Sequence, residues 1–130
     1  MFKKLFARWA RNEERAADAP AGPWIEGGIY VVPVESGGLQ PLKILVVDTD
    51  GVHVRLYSNH YSGVPSRIDE GSLFMAGMQR ASDVPLGMGH MPVSHSSFAR
   101  WHVHWVQTSS VKPDELDGYE IWREAEGGYF

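Results

Sequence analysis

Three closely spaced strand signals constrain the fold of this chain more than any other feature. Apolar and β-branched residues fill 27–34 and 41–48, and a strictly alternating segment follows at 52–58. The turn at 35–38 contains two glycines, and the turn at 49–51 contains Asp-Gly, which tolerates the positive φ of a tight hairpin. The pattern predicts three consecutive antiparallel strands, a β-meander.

The rest of the chain predicts further strands and a helix, so the expected fold class is mainly β (α+β). Residues 59–97 are interrupted repeatedly by glycine and proline, whereas 100–107 alternate again and predict another strand. Residues 112–125 begin with Lys-Pro-Asp-Glu and predict a short C-terminal helix that ends before Gly127. We expect a small antiparallel meander or a partly open SH3-like barrel.

The N-terminal segment predicts an amphipathic helix. Its apolar residues recur with helical spacing, and 16–23 have the small, Pro-containing composition of a linker. The apolar face is formed by Phe2, Leu5, Phe6 and Trp9. Three roles stay open for this face: docking on the domain, contact with a partner, or contact with an anionic membrane surface. The predicted organisation is a helix and linker at 1–22 and one β-rich domain at 23–130.

The charge distribution restricts the class of partner. Residues 1–15 carry five cations and two carboxylates, a balance of +3, so the remainder of a chain with net charge −4 carries −7. Nucleic-acid affinity depends on clustered Lys and Arg, so we expect no nucleic-acid partner. A basic protein suits this acidic body better.

Compartment and cross-linking follow from composition. The chain has no cysteine, which excludes disulfides and thiolate zinc sites and is typical of a reducing compartment. No apolar run approaches the roughly 20 residues that span a bilayer. We therefore expect a cytoplasmic protein.

A stripe of cationic and aromatic residues is the predicted partner-binding surface. Val52, Val54 and Leu56 should face the core, which leaves the alternate positions on the other side of the strand. Tyr and Arg are enriched at protein interfaces. The alternative is a solvated strand face under a loop. The stripe comprises His53, Arg55, Tyr57, His60, Tyr61 and Arg67.

A second interpretation uses the histidines. On a strand, His102 and His104 would project from the same face about 6–7 Å apart, and His90 or His95 would complete a metal site. In the opposing interpretation, Trp101, Val103 and Trp105 pack inward and both histidines are solvated. We predict no bound metal or cofactor and no catalytic residue, because the spacing is unspecific and no G-x-S-x-G motif is present.

The meander at 27–58, with its following loops and return strand, resembles SH3-like barrels. It is also similar to the β-rich immunity proteins that bacteria keep beside toxins, over roughly residues 24–107. That resemblance implies a cytoplasmic, acidic, non-catalytic protein that occludes a basic toxin domain. Two function classes stay open: a protein-binding module and a small metal-dependent enzyme built around the histidines.

Overall fold

A computed structural model describes residues 24–130. Its strands are β1 (Ile29–Pro33), β2 (Leu39–Val47), β3 (Gly51–Leu56), β4 (Met88–Ser94) and β5 (His104–Gln107). They form one antiparallel sheet in the order β4-β3-β2-β1-β5. The predicted meander of β1, β2 and β3 is confirmed. The edge strands β4 and β5 do not pair with each other, so the sheet is open. Of the two expected forms, the antiparallel meander is confirmed, and the partly open SH3-like barrel is not.

Helical segments are short. A 3-10 turn at Glu70–Ser72 interrupts the long loop, and α1 (His95–Ala99) follows β4, where the Ser94 hydroxyl accepts a hydrogen bond from the Ser97 amide. The C-terminal helix is confirmed, with a 3-10 first turn at Pro113–Leu116 that leads into α2 (Asp117–Glu124). Among the described residues, no helix has the length and apolar character needed to cross a bilayer. The predicted N-terminal helix lies outside the described residues.

The predicted strand at 100–107 is half as long as expected. His102 has a φ of 57°, which is incompatible with extended backbone, and β5 begins only at His104. The alternation of Trp101, Val103 and Trp105 therefore spans a turn and a strand, although all three pack against the core.

One face of the sheet carries the main core. Val52 and Val54 lie on it as predicted, and both are fully buried. The ring of Trp24 meets that of Phe98 edge-on at a centroid separation of 4.7 Å. This core is formed by Tyr30, Leu42, Ile44, Val52, Val54, Val93 and Phe98.

The opposite face is covered by the C-terminal segment. Gly118 packs so closely on β4 that a Cβ there would lie 2.6 Å from the Cβ of His90, so only glycine allows α2 to approach the sheet. The carboxylate of Glu115 reaches Lys43 of β2 on this face. This covered face positions the polar groups described next.

Candidate functional site

The six residues of the predicted partner surface do not form one exposed stripe. His60 and Arg67 are exposed and Tyr61 is half-buried. His53 is 0% exposed and Tyr57 is 6% exposed, because the C-terminal segment and the loop after β3 cover this face. The side chain of Arg55 is 19% exposed. The alternative of a solvated strand face does not hold for His53 and Tyr57, while a partner-binding role for the stripe stays a prediction.

The histidines proposed for a metal site are not brought together. His102 lies in a turn with a positive φ, whereas His104 begins β5, so the two do not share a strand face. The Nε2 of His95 lies 2.7 Å from the main-chain oxygen of Asp48. Within residues 24–130 no group of three or more His, Cys, Asp or Glu side chains is placed to hold a metal ion. The structure therefore does not gather His102 and His104 with His90 or His95 into one ligand set.

A different histidine pair lies under α2, in what we call the aromatic–histidine cluster. Its members are His53, His90, Tyr119, Trp122 and Tyr129. The His53 Nδ1 lies 2.8 Å from His90 Nε2, and the His53 Nε2 lies 2.8 Å from the Tyr129 hydroxyl. That hydroxyl donates to Asp48 Oδ2 at 3.0 Å.

These contacts assign the direction of each hydrogen bond. Tyr129 has one hydroxyl proton and gives it to Asp48, so His53 must donate its Nε2 proton to the Tyr129 oxygen. His53 Nδ1 then accepts from the Nε2 proton of His90. Every polar atom of the His53 ring is satisfied while the ring is neutral.

The surroundings favour that neutral form. Burial, followed by the repulsion of His90, lowers the pKa of His53 to about 4. Burial also lowers the pKa of His90. The rings of Tyr119 and Trp122 contact the His53 ring edge-on at centroid distances of 4.7 and 4.4 Å. Both histidines are neutral, aromatic rings shield them, and hydrogen bonds connect them to Tyr129, which is the arrangement of a structural network.

Two residues farther along β3, the same face carries charge instead, around a cavity of about 630 Å³ that we call the ionic cavity. Lys43 of β2 is the register partner of Arg55 of β3. The Lys43 Nζ donates to Glu115 at 3.1 Å and to the Ser110 carbonyl at 3.0 Å. The side chains of Lys43 and Glu115 are only 4% and 9% exposed, so this ion pair lies inside the fold.

The charge of Glu115 is maintained by its contacts. Burial opposes ionisation, but hydrogen bonds from the Lys112 amide and the Lys43 ammonium outweigh it and hold the pKa of the carboxyl below its usual value. Arg55 adds attraction, with its Nη1 3.7 Å from Glu115 Oε2. The floor of the cavity is therefore ionic.

Tyr57 supplies a neutral donor to the same cavity. Burial and the charge of Glu115 raise the pKa of its hydroxyl to about 12, so the hydroxyl keeps its proton at physiological pH. Apolar side chains form the opposite wall, from the loop after the first 3-10 turn. The residues of that wall are Leu73, Phe74 and Met75.

Sequence reasoning missed Lys43 and Glu115. A usable signal was present, because Lys43 is the only charged residue within 41–47, an apolar run that predicts a strand covered on both faces. A buried ammonium requires a carboxylate partner. What the sequence could not supply is the identity of that partner, 72 residues away.

A second cavity of about 940 Å³ lies beside the turn between β1 and β2. His60 lines it, and the His60 Nε2 lies 2.8 Å from the Gly37 carbonyl oxygen. Arg80 also lines this cavity and donates from Nε to the Val84 carbonyl at 2.7 Å. Both side chains therefore bind nearby main-chain carbonyls and stabilise turns.

The outer side of α2 forms an acidic ridge, defined as Asp117, Glu120, Ile121 and Glu124. Tyr119 and Trp122 face the sheet, so positions 117, 121 and 124 point the opposite way in a 3.6-residue period. Ile121 is 68% exposed. The ridge thus presents one large apolar side chain among three carboxylates.

Comparison of the chain with protein-family models, with curated proteins and with solved structures gives no match.

Proposed function

We propose that this chain is a non-catalytic protein-binding module for a basic protein partner, which it contacts through the acidic ridge. The observation that carries the proposal is Ile121, an exposed branched side chain flanked by Asp117 and Glu124 on the outer side of α2. Apolar anchors surrounded by polar residues are the usual centre of a binding site.

The overall charge supports a basic partner. Residues 24–130 contain seven Lys and Arg against thirteen Asp and Glu, a balance of −6. Two of those cations, Lys43 and Arg55, face the buried carboxylate of Glu115. The solvent-facing charge is therefore dominated by carboxylates, which attract a basic protein over a distance of about a Debye length.

The neutralisation of a basic toxin domain is the specific form of this function that the resemblance to immunity proteins implied. The exposed residues of the predicted stripe, His60 and Arg67, would then lie in a separate contact zone. A toxin domain is one example of a basic partner. The proposal that the ridge binds a basic protein surface therefore holds whether or not that partner is a toxin.

The experiment is capture of the partner from the native host, followed by binding kinetics at two salt concentrations. Replacing three ridge carboxylates together (Asp117→Asn, Glu120→Gln and Glu124→Gln) should slow association and flatten its salt dependence. Three exposed carboxylates elsewhere provide the matched control: Glu35→Gln, Asp50→Asn and Asp83→Asn.

The apolar anchor has its own test. Ile121→Ser should speed dissociation roughly tenfold or more if the side chain is a hot spot. Val64→Ser is the control, because Val64 is 52% exposed and lies outside the ridge. An acidic captured partner would contradict the proposal, as would ridge variants that bind like their controls.

A further inference from the structure

We propose that the ionic cavity is a binding site for a small organic carboxylate with an apolar or aromatic body. The cavity of about 630 Å³ has the size of small-molecule sites, which range from roughly 300 to 1,000 Å³. It combines the donors of Arg55 and Tyr57 with the apolar side chains of Leu73, Phe74 and Met75. The site is separate from the acidic ridge, so this inference does not rest on the proposed protein partner.

Arg55 retains donors for a ligand. Its Nε donates to the Gly89 carbonyl at 3.2 Å, which fixes the guanidinium against β4. Its Nη1 lies 3.7 Å from Glu115, which is too long for a hydrogen bond. A planar guanidinium held by its Nε and open at its Nη atoms matches the two oxygens of a carboxylate.

Tyr57 provides the second, independent observation. The residue lines the cavity, and among the described residues no group hydrogen-bonds to its hydroxyl. Every buried side-chain polar atom of residues 24–130 has a hydrogen-bond partner, so the Tyr57 hydroxyl is open to the cavity, where a ligand can reach it. A carboxylate seated on Arg55 would accept this bond, and the Tyr57 proton would then be shared with the ligand.

The charge of the lining selects an anion. The cavity is lined by three cations, Lys43, Arg55 and Lys112, and by two carboxylates, Glu70 and Glu115. The lining therefore carries +1 within a region whose balance is −6. A monoanion neutralises it, whereas a cation would add to the excess.

The apolar wall selects the body of the ligand. Phe74 and Met75 line the cavity and remain 48% and 43% exposed. A flexible thioether beside an aromatic ring offers an adaptable surface for an aryl or alkyl group. Covering these two side chains would supply the apolar part of the binding free energy.

The test is NMR titration of the ¹⁵N-labelled full chain with phenylacetate, 3-phenylpropionate and hexanoate. We expect saturable shifts at the amides of Arg55, Tyr57, Phe74 and Ser110 for at least one probe. 3-Phenylpropanol, the neutral analogue of one probe, should bind at least tenfold more weakly because it lacks the charge. Inorganic phosphate, which lacks the apolar body, should also bind more weakly.

Variants separate the polar contacts from the fold. Tyr57→Phe keeps the ring and removes the donor, so affinity should fall about tenfold, while Tyr119→Phe should leave it unchanged. Arg55→Gln should abolish the preference for the acid over the alcohol, and Arg100→Gln should not. The proposal is overturned if no carboxylate gives saturable shifts, if phosphate binds best, or if Tyr57→Phe binds like the native chain.

Discussion

His53 and Arg55 lie on the same face of β3, two residues apart, and their surroundings are opposite in kind. His53 is 0% exposed under three aromatic rings, and both of its nitrogens are hydrogen-bonded. Arg55 borders a cavity and has one hydrogen bond from its Nε. The same strand face thus supports a closed neutral network and an open charged site.

The difference comes from what the C-terminal segment places over each residue. Over His53, α2 and the chain end bring Tyr119, Trp122 and Tyr129. Arg55 instead faces the 3-10 turn at Pro113–Leu116, which contributes the carboxylate of Glu115. Aromatic cover excludes water and stabilises a neutral imidazole, whereas an ionic contact holds two elements together and leaves space beside it.

The largest predicted effect concerns the ion pair of the open site. Glu115→Gln removes the nearer carboxylate from the buried ammonium of Lys43 and leaves only that of Glu70, 3.9 Å away, so we expect a loss of about 3 kcal/mol in the free energy of unfolding. Denaturant unfolding measures this loss. Glu120→Gln is the matched control, because the pair of Glu120 with Arg123 is exposed and should contribute less than about 0.5 kcal/mol. Equal losses in the two variants would show that the floor of the cavity is solvated.

The closed network predicts a dependence on pH. The pKa of His53 is lowered to about 4 in the folded chain and is about 6.5 in an unfolded one, so the unfolded state binds more protons between these values. The stability that the neutral His53 network contributes is fully present above pH 6.5, and it declines as the pH falls towards 4. Between pH 7 and pH 5 we expect a loss of about 2 kcal/mol from His53 alone.

Protonation of Asp48 or Glu115 does not explain a loss of stability between pH 7 and pH 5. The pKa values of Asp48 and Glu115 are lowered by their hydrogen bonds, so the stability they contribute disappears only at more acidic pH. Unfolding of His53→Gln at the two pH values should show a smaller loss, and His104→Gln, at an exposed position, should retain it. An NMR titration midpoint of His53 near 6.5 would contradict the buried neutral network.

A smaller effect tests the hydrogen bonds of Tyr129. Tyr129→Phe removes both the acceptor for His53 and the donor to Asp48, and we expect a loss of about 1.5 kcal/mol in unfolding free energy. Tyr119→Phe removes a hydroxyl with no hydrogen-bond partner among the described residues, so its cost should stay below about 0.5 kcal/mol. If both variants cost the same, ring packing alone explains the cluster.

Local sequence patterns predicted the strand and the helix that position His53 and Arg55. The alternation of Val52 and Val54 and the Asp-Gly turn before them predicted β3 and its core-facing side. Pro113 and the acidic residues after it predicted the C-terminal helix. These features depend on neighbours in sequence, which is the information that periodicity contains.

The candidate sites could not be predicted in the same way. Periodicity placed His53 opposite the core, but it could not show that Tyr129, 76 residues later, covers it. His102 interrupts a perfect alternation through its backbone conformation alone, and no residue type in Trp101-His102-Val103 signals a positive φ. Burial by distant segments and local backbone reversals are tertiary properties, so they escape a local pattern.

The smallest predicted effect comes from removing residues 1–20. His53, Arg55 and the residues that surround them lie within 24–130. Residues 1–15 have a separate charge balance of +3, and 16–23 have the composition of a linker. A chain starting at Ala21 should therefore unfold cooperatively, within a few degrees of the full-length midpoint. A chain starting at Glu26 should lose more, because it lacks Trp24, whose ring packs on Phe98 and Tyr30 in the core. Thermal unfolding of the three chains tests this prediction. If the chain starting at Ala21 already unfolds without cooperativity, residues 1–20 are part of the core. The surroundings of His53 and Arg55 would then depend on those residues as well.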